Sequence, residues 1–314
     1  MNKKQVIGII AGIIIFSLIA AVAANQSKVK GAAQGERIGV IYVEGIITGA
    51  RDDAGLLGGA VTGSSLLEQL KEAREDDSIK AVLIRINSPG GSAAASQEIG
   101  DEIEKIRRSG KIVVASMGDM AASGGYWIAA KADKIMANPA TMTGSIGVIM
   151  ETMNLQELFN KIGVSPQTVK SGPFKDIGSP NRPLTPEERE LLQTMVDDIY
   201  NQFVDVVAKG RSMDRKKVLA LADGRIFTGR QAKELGLVDQ LGNYYDAVAL
   251  TGELAKIKGE PSIYELGPKN PFARFLGGVQ SLLGLNNNSG VGLSPREIQL
   301  FREILTTQPA IQNR

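Results

Sequence analysis

The chain contains no histidine and no cysteine. Without histidine there is no Ser-His-Asp or Cys-His machinery, no H-E-x-x-H zinc site and no imidazole to act as general base. Without cysteine there are no disulfides, thiolate nucleophiles, thiolate-bound zinc or cysteine-ligated iron–sulfur clusters. Hydrolytic chemistry is therefore left to Ser, Thr, Tyr, Lys and carboxylates. An excess of one charge is missing too. In 314 residues, 36 Lys+Arg stand against 34 Asp+Glu, and a net charge of +2 with both signs interspersed gives no argument for nucleic acid. The Walker phosphate loop G-x-x-x-x-G-K-[ST] is absent as well.

One long hydrophobic run is present. Behind Lys3 and Lys4, residues Val6 to Ala24 carry no charge. Nineteen helical residues span about 28 Å, close to the thickness of a bilayer core. The run exceeds the usual signal-peptide core, so an uncleaved anchor over residues 1–25 is expected, with a linker at 26–36. A cut near Ala21-Val22-Ala23 is the competing reading. Lys28 and Lys30 balance Lys3 and Lys4, so the positive-inside count is a tie. A short tail before a large domain reads as N-terminus in and the rest outside the cytoplasm.

From Arg37 the chain alternates. Ile38–Val43, Ala81–Ile86, Ile112–Ala115 and Lys134–Ala137 are short and rich in Val and Ile, and read as buried strands. Ser65 and Glu68 read as a capping box before Leu66, Leu67, Leu70 and Ala73. Ala95, Ile99, Ile103 and Ile106 fall at helical spacing. Such alternation predicts an α/β domain, parallel strands with helical crossovers, over about residues 36–170. A long helix follows, capped by Thr185 with Pro186 and Glu188 behind it and ended by Gly210. Its Leu191, Met195, Ile199, Phe203 and Val207 form an apolar face for the core or for a neighbouring subunit. Residues 268–314 read as a flexible loop around Asn286–Gly290 and a short helix capped by Ser294. No repeat of solenoid period occurs.

Three small-residue loops follow strands, where open α/β sheets place their sites. Asn87-Ser88-Pro89-Gly90-Gly91-Ser92 is either a tight turn or a place where backbone amides approach an anion. In Met120-Ala121-Ala122-Ser123-Gly124-Gly125, Ser123 is flanked by residues with little or no side chain. That suits a strained strand-to-helix turn presenting a hydroxyl, although Ala121 stands where G-x-S-x-G has its first glycine. The bland alternative is a helix cap. The third region joins Thr143-Gly144-Ser145-Ile146-Gly147 to Ser171-Gly172-Pro173-Phe174-Lys175-Asp176. A buried Lys175 would lose its proton readily and serve as a base; a surface Lys175 would pair with an acid such as Asp176.

Ile86-Asn-Ser-Pro-Gly-Gly91, Ser116-Met-Gly-Asp-Met-Ala-Ala-Ser-Gly-Gly-Tyr126, Thr143-Gly-Ser-Ile-Gly-Val148 and Ser171-Gly-Pro-Phe-Lys-Asp176, in that order, resemble the signal peptide peptidase SppA family. These are membrane-bound bacterial serine proteases with a Ser/Lys dyad, and the likeness covers about Arg37 to Gly242. The resemblance implies a ClpP/crotonase-like fold over residues 37–267, with an N-terminal transmembrane helix and a helical C-terminal extension. It implies Ser123 as nucleophile and Lys175, 52 residues on, as general base. It further implies Ser145 as the hydroxyl that orients the lysine, and the amides of Gly91 and Ser123 as the oxyanion hole. No cofactor or metal is implied. The implied substrates are cleaved signal peptides and other apolar peptides outside the cytoplasm of a bacterial cell. The implied partners are the bilayer and further copies of the chain, as dome-shaped octamers with sites built between neighbours. Two other readings stay open: a crotonase-type acyl-CoA enzyme, and a non-catalytic membrane-anchored scaffold or chaperone.

Overall fold

A computed structural model describes residues 36–50 and 60–267. The expected anchor at 1–25 and the expected loop and helix after 268 lie outside the described residues. Among the described residues no helix is long and apolar enough to cross a membrane.

The Val- and Ile-rich runs form strands. These are β1 (Arg37–Glu44), β4 (Ile79–Ser88), β5 (Ile112–Ala122) and β6 (Lys134–Ala137), between which lie the short β2 (Ile46–Thr48) and β3 (Ala60–Thr62). Four more follow: β7 (Met142–Gly144), β8 (Ile226–Thr228), β9 (Gln240–Leu241) and β10 (Ser262–Leu266). The main sheet runs β10-β1-β4-β5-β6-β9, all parallel, with β7 added to the far end of β5 and β8 antiparallel to β7. β2 and β3 make a separate parallel pair.

The helices are α1 (Gly63–Glu75), α2 (Ala93–Arg108), α3 (Gly124–Ala130), α4 (Gln156–Lys161), α5 (Pro186–Gly210), α6 (Arg215–Leu219), α7 (Gly229–Glu234) and α8 (Tyr244–Leu254). A parallel sheet must be covered on both faces, because its strands are apolar on both. Alternate residues divide accordingly. Ile41, Val43, Val82, Ile84, Val113 and Ala115 meet α1, α2, α3 and α5, whereas Ile38, Val40, Leu83 and Val114 meet Ala247 and Val248 of α8. Each fully buried Val or Ile contributes on the order of 1.5–3 kcal/mol of transfer free energy.

Three differences from the sequence reading matter for the site. First, β5 does not stop at Ala115 but continues to Ala122. Its first half pairs with β6 and its last three residues with β7, which delivers the chain directly to Ser123. Second, the sheet is not complete at residue 170: β8, β9 and β10 belong to it, and β10 lies beside β1. Third, α1 begins at Gly63, two residues before the expected cap, and the Ser65 hydroxyl accepts from Gln69 instead.

The long helix α5 forms as expected, with Thr185 and Glu188 in a reciprocal capping box. Its apolar face is used only in part. Phe203, Val204 and Val207 are buried, while Leu191 and Met195 are exposed.

Candidate active site

The Asn87–Ser92 turn is built to bring glycine backbone against the end of β5. The buried Ser88 hydroxyl donates to the Gly45 carbonyl at 2.6 Å and accepts from the Gly90 amide at 3.1 Å. The Gly90 carbonyl then accepts from the Ile47 amide at 2.9 Å, and the Ser92 amide donates to the Ile47 carbonyl at 2.9 Å. That bridge leaves the amide of the intervening Gly91 pointing to the other side. Only glycine fits at Gly90. Its φ is +101°, and a Cβ there would lie 2.7 Å from both the Gly124 nitrogen and the Ser123 Cβ.

Ser123 sits at the turn from β5 to α3 with φ 51° and ψ −120°, a region sparsely populated by residues other than glycine. Its hydroxyl makes no capping hydrogen bond, so the bland reading as a helix cap is not how the side chain is used. The backbone holds it instead. The Ser123 amide donates to the Gly144 carbonyl at 2.9 Å, and the Ser123 carbonyl accepts from the Trp127 amide at 2.9 Å. The first bond corrects an expectation: the amide foreseen as an oxyanion donor is already committed to the β5–β7 ladder. The next amide, that of Gly124, opens the first turn of α3 and has no intrahelical acceptor. It stands close to Gly91, since a Cβ on Gly124 would lie 3.3 Å from the Gly91 nitrogen.

Ser145 also has a positive φ, 50°, and follows Gly144 at φ 84°. Its amide donates to the Arg225 carbonyl at 2.8 Å. Ala122 and Gly144 are paired across the ladder, so Ser123 and Ser145 each stand one residue beyond the matched strand ends. The fold thus brings Gly91, Ser123 and Ser145 to one place.

Lys175 is carried by a different segment, the one between α4 and α5. It lies in a turn closed by its amide on the Gly172 carbonyl at 3.2 Å, and it is exposed rather than buried. Among the described residues its side chain forms no hydrogen bond or ion pair. The pairing with Asp176 is not formed either. That carboxylate is held by Lys170 at 2.6 Å and by Arg182 at 2.7 Å, and Arg182 also reaches Glu188 at 2.5 Å. The Arg182 and Lys170 hydrogen bonds hold the Asp176 carboxyl well below the usual carboxylate range, and the same guanidinium lowers Glu188 to about 2.

Sequence reading missed the Gly124 amide and Arg182. The first carries a signal only in the doubled glycine after Ser123, and the second carries none without knowing that residues 176, 182 and 188 converge. Among the described residues no group of three or more Asp or Glu is placed to hold a metal ion.

Comparison with known proteins identifies the family. The profile of peptidase family S49 matches residues 105–258, and that of Clp protease matches residues 60–146. The chain is similar to "Putative protease slr0021" of Synechocystis sp., 46% identical over 73% of this chain and 83% of that protein. It is similar to "Putative signal peptide peptidase SppA" of Enterococcus faecium, 37% identical over 79% of this chain and 80% of that one. It is also 36% identical to "Serine protease SPPA, chloroplastic" of Arabidopsis thaliana over 80% of this chain, which spans 38% of the plant protein.

Proposed function

Because the chain belongs to peptidase family S49, the family of signal peptide peptidase SppA, and is a serine-type peptidase, we propose that it cleaves peptide bonds with Ser123 as nucleophile and Lys175 as general base. The observation that carries Ser123 is its turn: a positive φ, a hydroxyl free of capping, and the Gly91 and Gly124 amides beside it. A neutral Lys175 amine takes the Ser123 proton as Oγ attacks the substrate carbonyl, forming the C–O bond of a tetrahedral intermediate. The oxyanion accepts from the Gly91 and Gly124 amides, each donor worth about 3–4 kcal/mol in comparable sites. Lys175, now an ammonium, gives its proton to the leaving amine as the C–N bond breaks. It then deprotonates the water that clears the acyl-enzyme. Ser145 keeps the amine aimed at Ser123.

Lys175 reaches the serine from a neighbouring copy of the chain in this proposal. Supporting it, Ile149, Met153, Val169 and Phe174, on the segment that carries Lys175, are exposed apolar side chains in the single chain. A second copy covers them and closes the Lys175 turn away from solvent. We place the assembly as an octamer, anchored in a bacterial membrane by residues 6–24 with its catalytic domain outside the cytoplasm, and its substrates as apolar peptides left by signal-peptide cleavage.

The test is hydrolysis of an apolar fluorogenic peptide by the full chain. Ser123→Ala and Lys175→Ala should each be inactive while keeping the folded oligomer. Co-expressed, the two variants should regain activity, because some sites combine the intact serine of one chain with the intact lysine of another. Wild-type rates from Lys175→Ala would remove it as the base, and silent mixtures would place both residues in one chain.

A further inference from the structure

Lys170, Asp176, Arg182 and Glu188 stand six residues apart and close a chain of ion pairs around the turn that carries Lys175. Arg182 is its centre. Its Nε and Nη2 donate to the two Asp176 oxygens at 2.9 and 2.7 Å, and its Nη1 and Nη2 donate to the two Glu188 oxygens at 2.7 and 2.5 Å. Glu188 is 2% exposed and is itself fixed by the Thr185 amide at 3.0 Å, so the anchor is the first turn of α5. On the other side Lys170 Nζ holds Asp176 at 2.6 Å and the Pro173 carbonyl at 3.0 Å. One planar guanidinium, gripped in a fork on both sides, ties the lysine turn to a helix.

We propose that Arg182 is a positioning residue for the reaction: it fixes the Lys175 turn to the start of α5 and occupies the Asp176 carboxylate, leaving the Lys175 amine without an acid partner. The inference rests on the reading of Lys175 as base. Its physical reason is charge. A carboxylate next in sequence to a lysine favours the ammonium form, which cannot accept the serine proton. The two cations Lys170 and Arg182 cancel the two anions Asp176 and Glu188. Glu187, in the same helical turn, has its carboxyl lowered by its own backbone amide and by the Thr185 hydroxyl. The segment alongside, joined by the Leu155 amide to the Pro180 carbonyl at 2.7 Å, carries Glu151, Glu157 and Lys161, all exposed and without an ion pair to the cluster among the described residues.

The experiment is the pH profile of kcat and KM for the full chain on a fluorogenic peptide, with wild type, Arg182→Ala, Arg182→Lys, Asp176→Asn and Lys175→Ala in parallel. Arg182→Ala removes the fork on Asp176 and leaves Lys170 as its one cation, so more of the carboxylate's charge falls on Lys175 and the pH at which kcat rises should move up by about 1 unit. Misplacement of the lysine should also lower kcat by about 10²-fold with KM nearly unchanged. Arg182→Lys should recover part of the rate, as it keeps the charge and loses the fork. Asp176→Asn leaves one cation, Lys170, unmatched beside the Lys175 turn while Arg182 stays paired with Glu188, and should move the midpoint the opposite way, down. It also keeps the test decisive if Arg182→Ala does not fold. Unmoved midpoints in both variants, whatever the loss of rate or stability, would overturn the proposal. An active Lys175→Ala would instead overturn the reading it rests on.

Discussion

Ser123 donates its amide to the carbonyl of Gly144 at 2.9 Å, so the turn bearing the hydroxyl is the continuation of a strand ladder rather than a free loop. The bond has two consequences. It fixes Ser123 relative to Ser145, one residue past Gly144, and it occupies the Ser123 amide while the Gly124 amide has no intrahelical acceptor. It also means that the positive φ at Ser123 is imposed by structure on both sides, by β7 through the amide and by α3 through the carbonyl.

Ser123→Gly should therefore be inactive and more stable. A residue other than glycine in this region stores on the order of 1–3 kcal/mol of strain. Part of the gain is returned because glycine makes the unfolded chain more flexible, leaving about 1 kcal/mol. Thermal unfolding of Ser123→Gly beside Ser123→Ala measures this, and a variant less stable than Ser123→Ala would show that the turn is unstrained.

Gly90→Ala should abolish turnover and destabilise the domain by about 2–3 kcal/mol or more. The methyl would meet the Gly124 nitrogen and the Ser123 Cβ at 2.7 Å and the Ala122 carbonyl at 2.9 Å, mostly rigid backbone. Gly49→Ala, with nothing within 4 Å of its Cβ, is the control. Peptide hydrolysis and denaturant unfolding of both variants decide it; normal activity in Gly90→Ala would mean that the two turns are not in register.

Acid should weaken the fold through carboxylates whose pairing favours the ionised form. Glu104 accepts from Lys131 at 2.8 Å and Lys209 at 3.1 Å, joining α2 to the ends of α3 and α5, and these bonds lower its carboxyl from 4.5 to about 2. A depressed carboxylate adds stability above its unfolded value and loses it as pH falls through the folded one, here between about pH 4.5 and 2. Melting temperatures from pH 7 to 2 should fall less steeply over that window in Glu104→Gln. Parallel curves for the two proteins would remove Glu104 from the account.

What could be read from the chain alone is what depends on near neighbours. The runs Ile38–Val43 and Lys134–Ala137 carry their strand character in consecutive β-branched residues, and Thr185, Pro186 and Glu188 carry the start of α5 within four positions. The lack of histidine and cysteine restricted the chemistry before any fold was known, and the small residues around Ser123 marked the turn. The short strands after residue 225 were not legible, because β8 and β9 are only three and two residues long and take their form from their partners.

Tertiary structure alone decided which groups are free to act. Sequence placed Ser123 and Gly144 twenty-one residues apart; the register of β5 on β7 made one the other's hydrogen-bond partner and so spent an amide. It also set Gly90 against Ser123, drew β10 beside β1 across more than two hundred residues, and left Lys175 exposed on a turn whose neighbouring acid belongs to Arg182. The physical reason is common to all of these. Periodicity and caps are written in residues that touch along the chain, whereas the occupancy of a donor or a carboxylate depends on whatever the pairing of distant strands and helices brings within 3 Å of it.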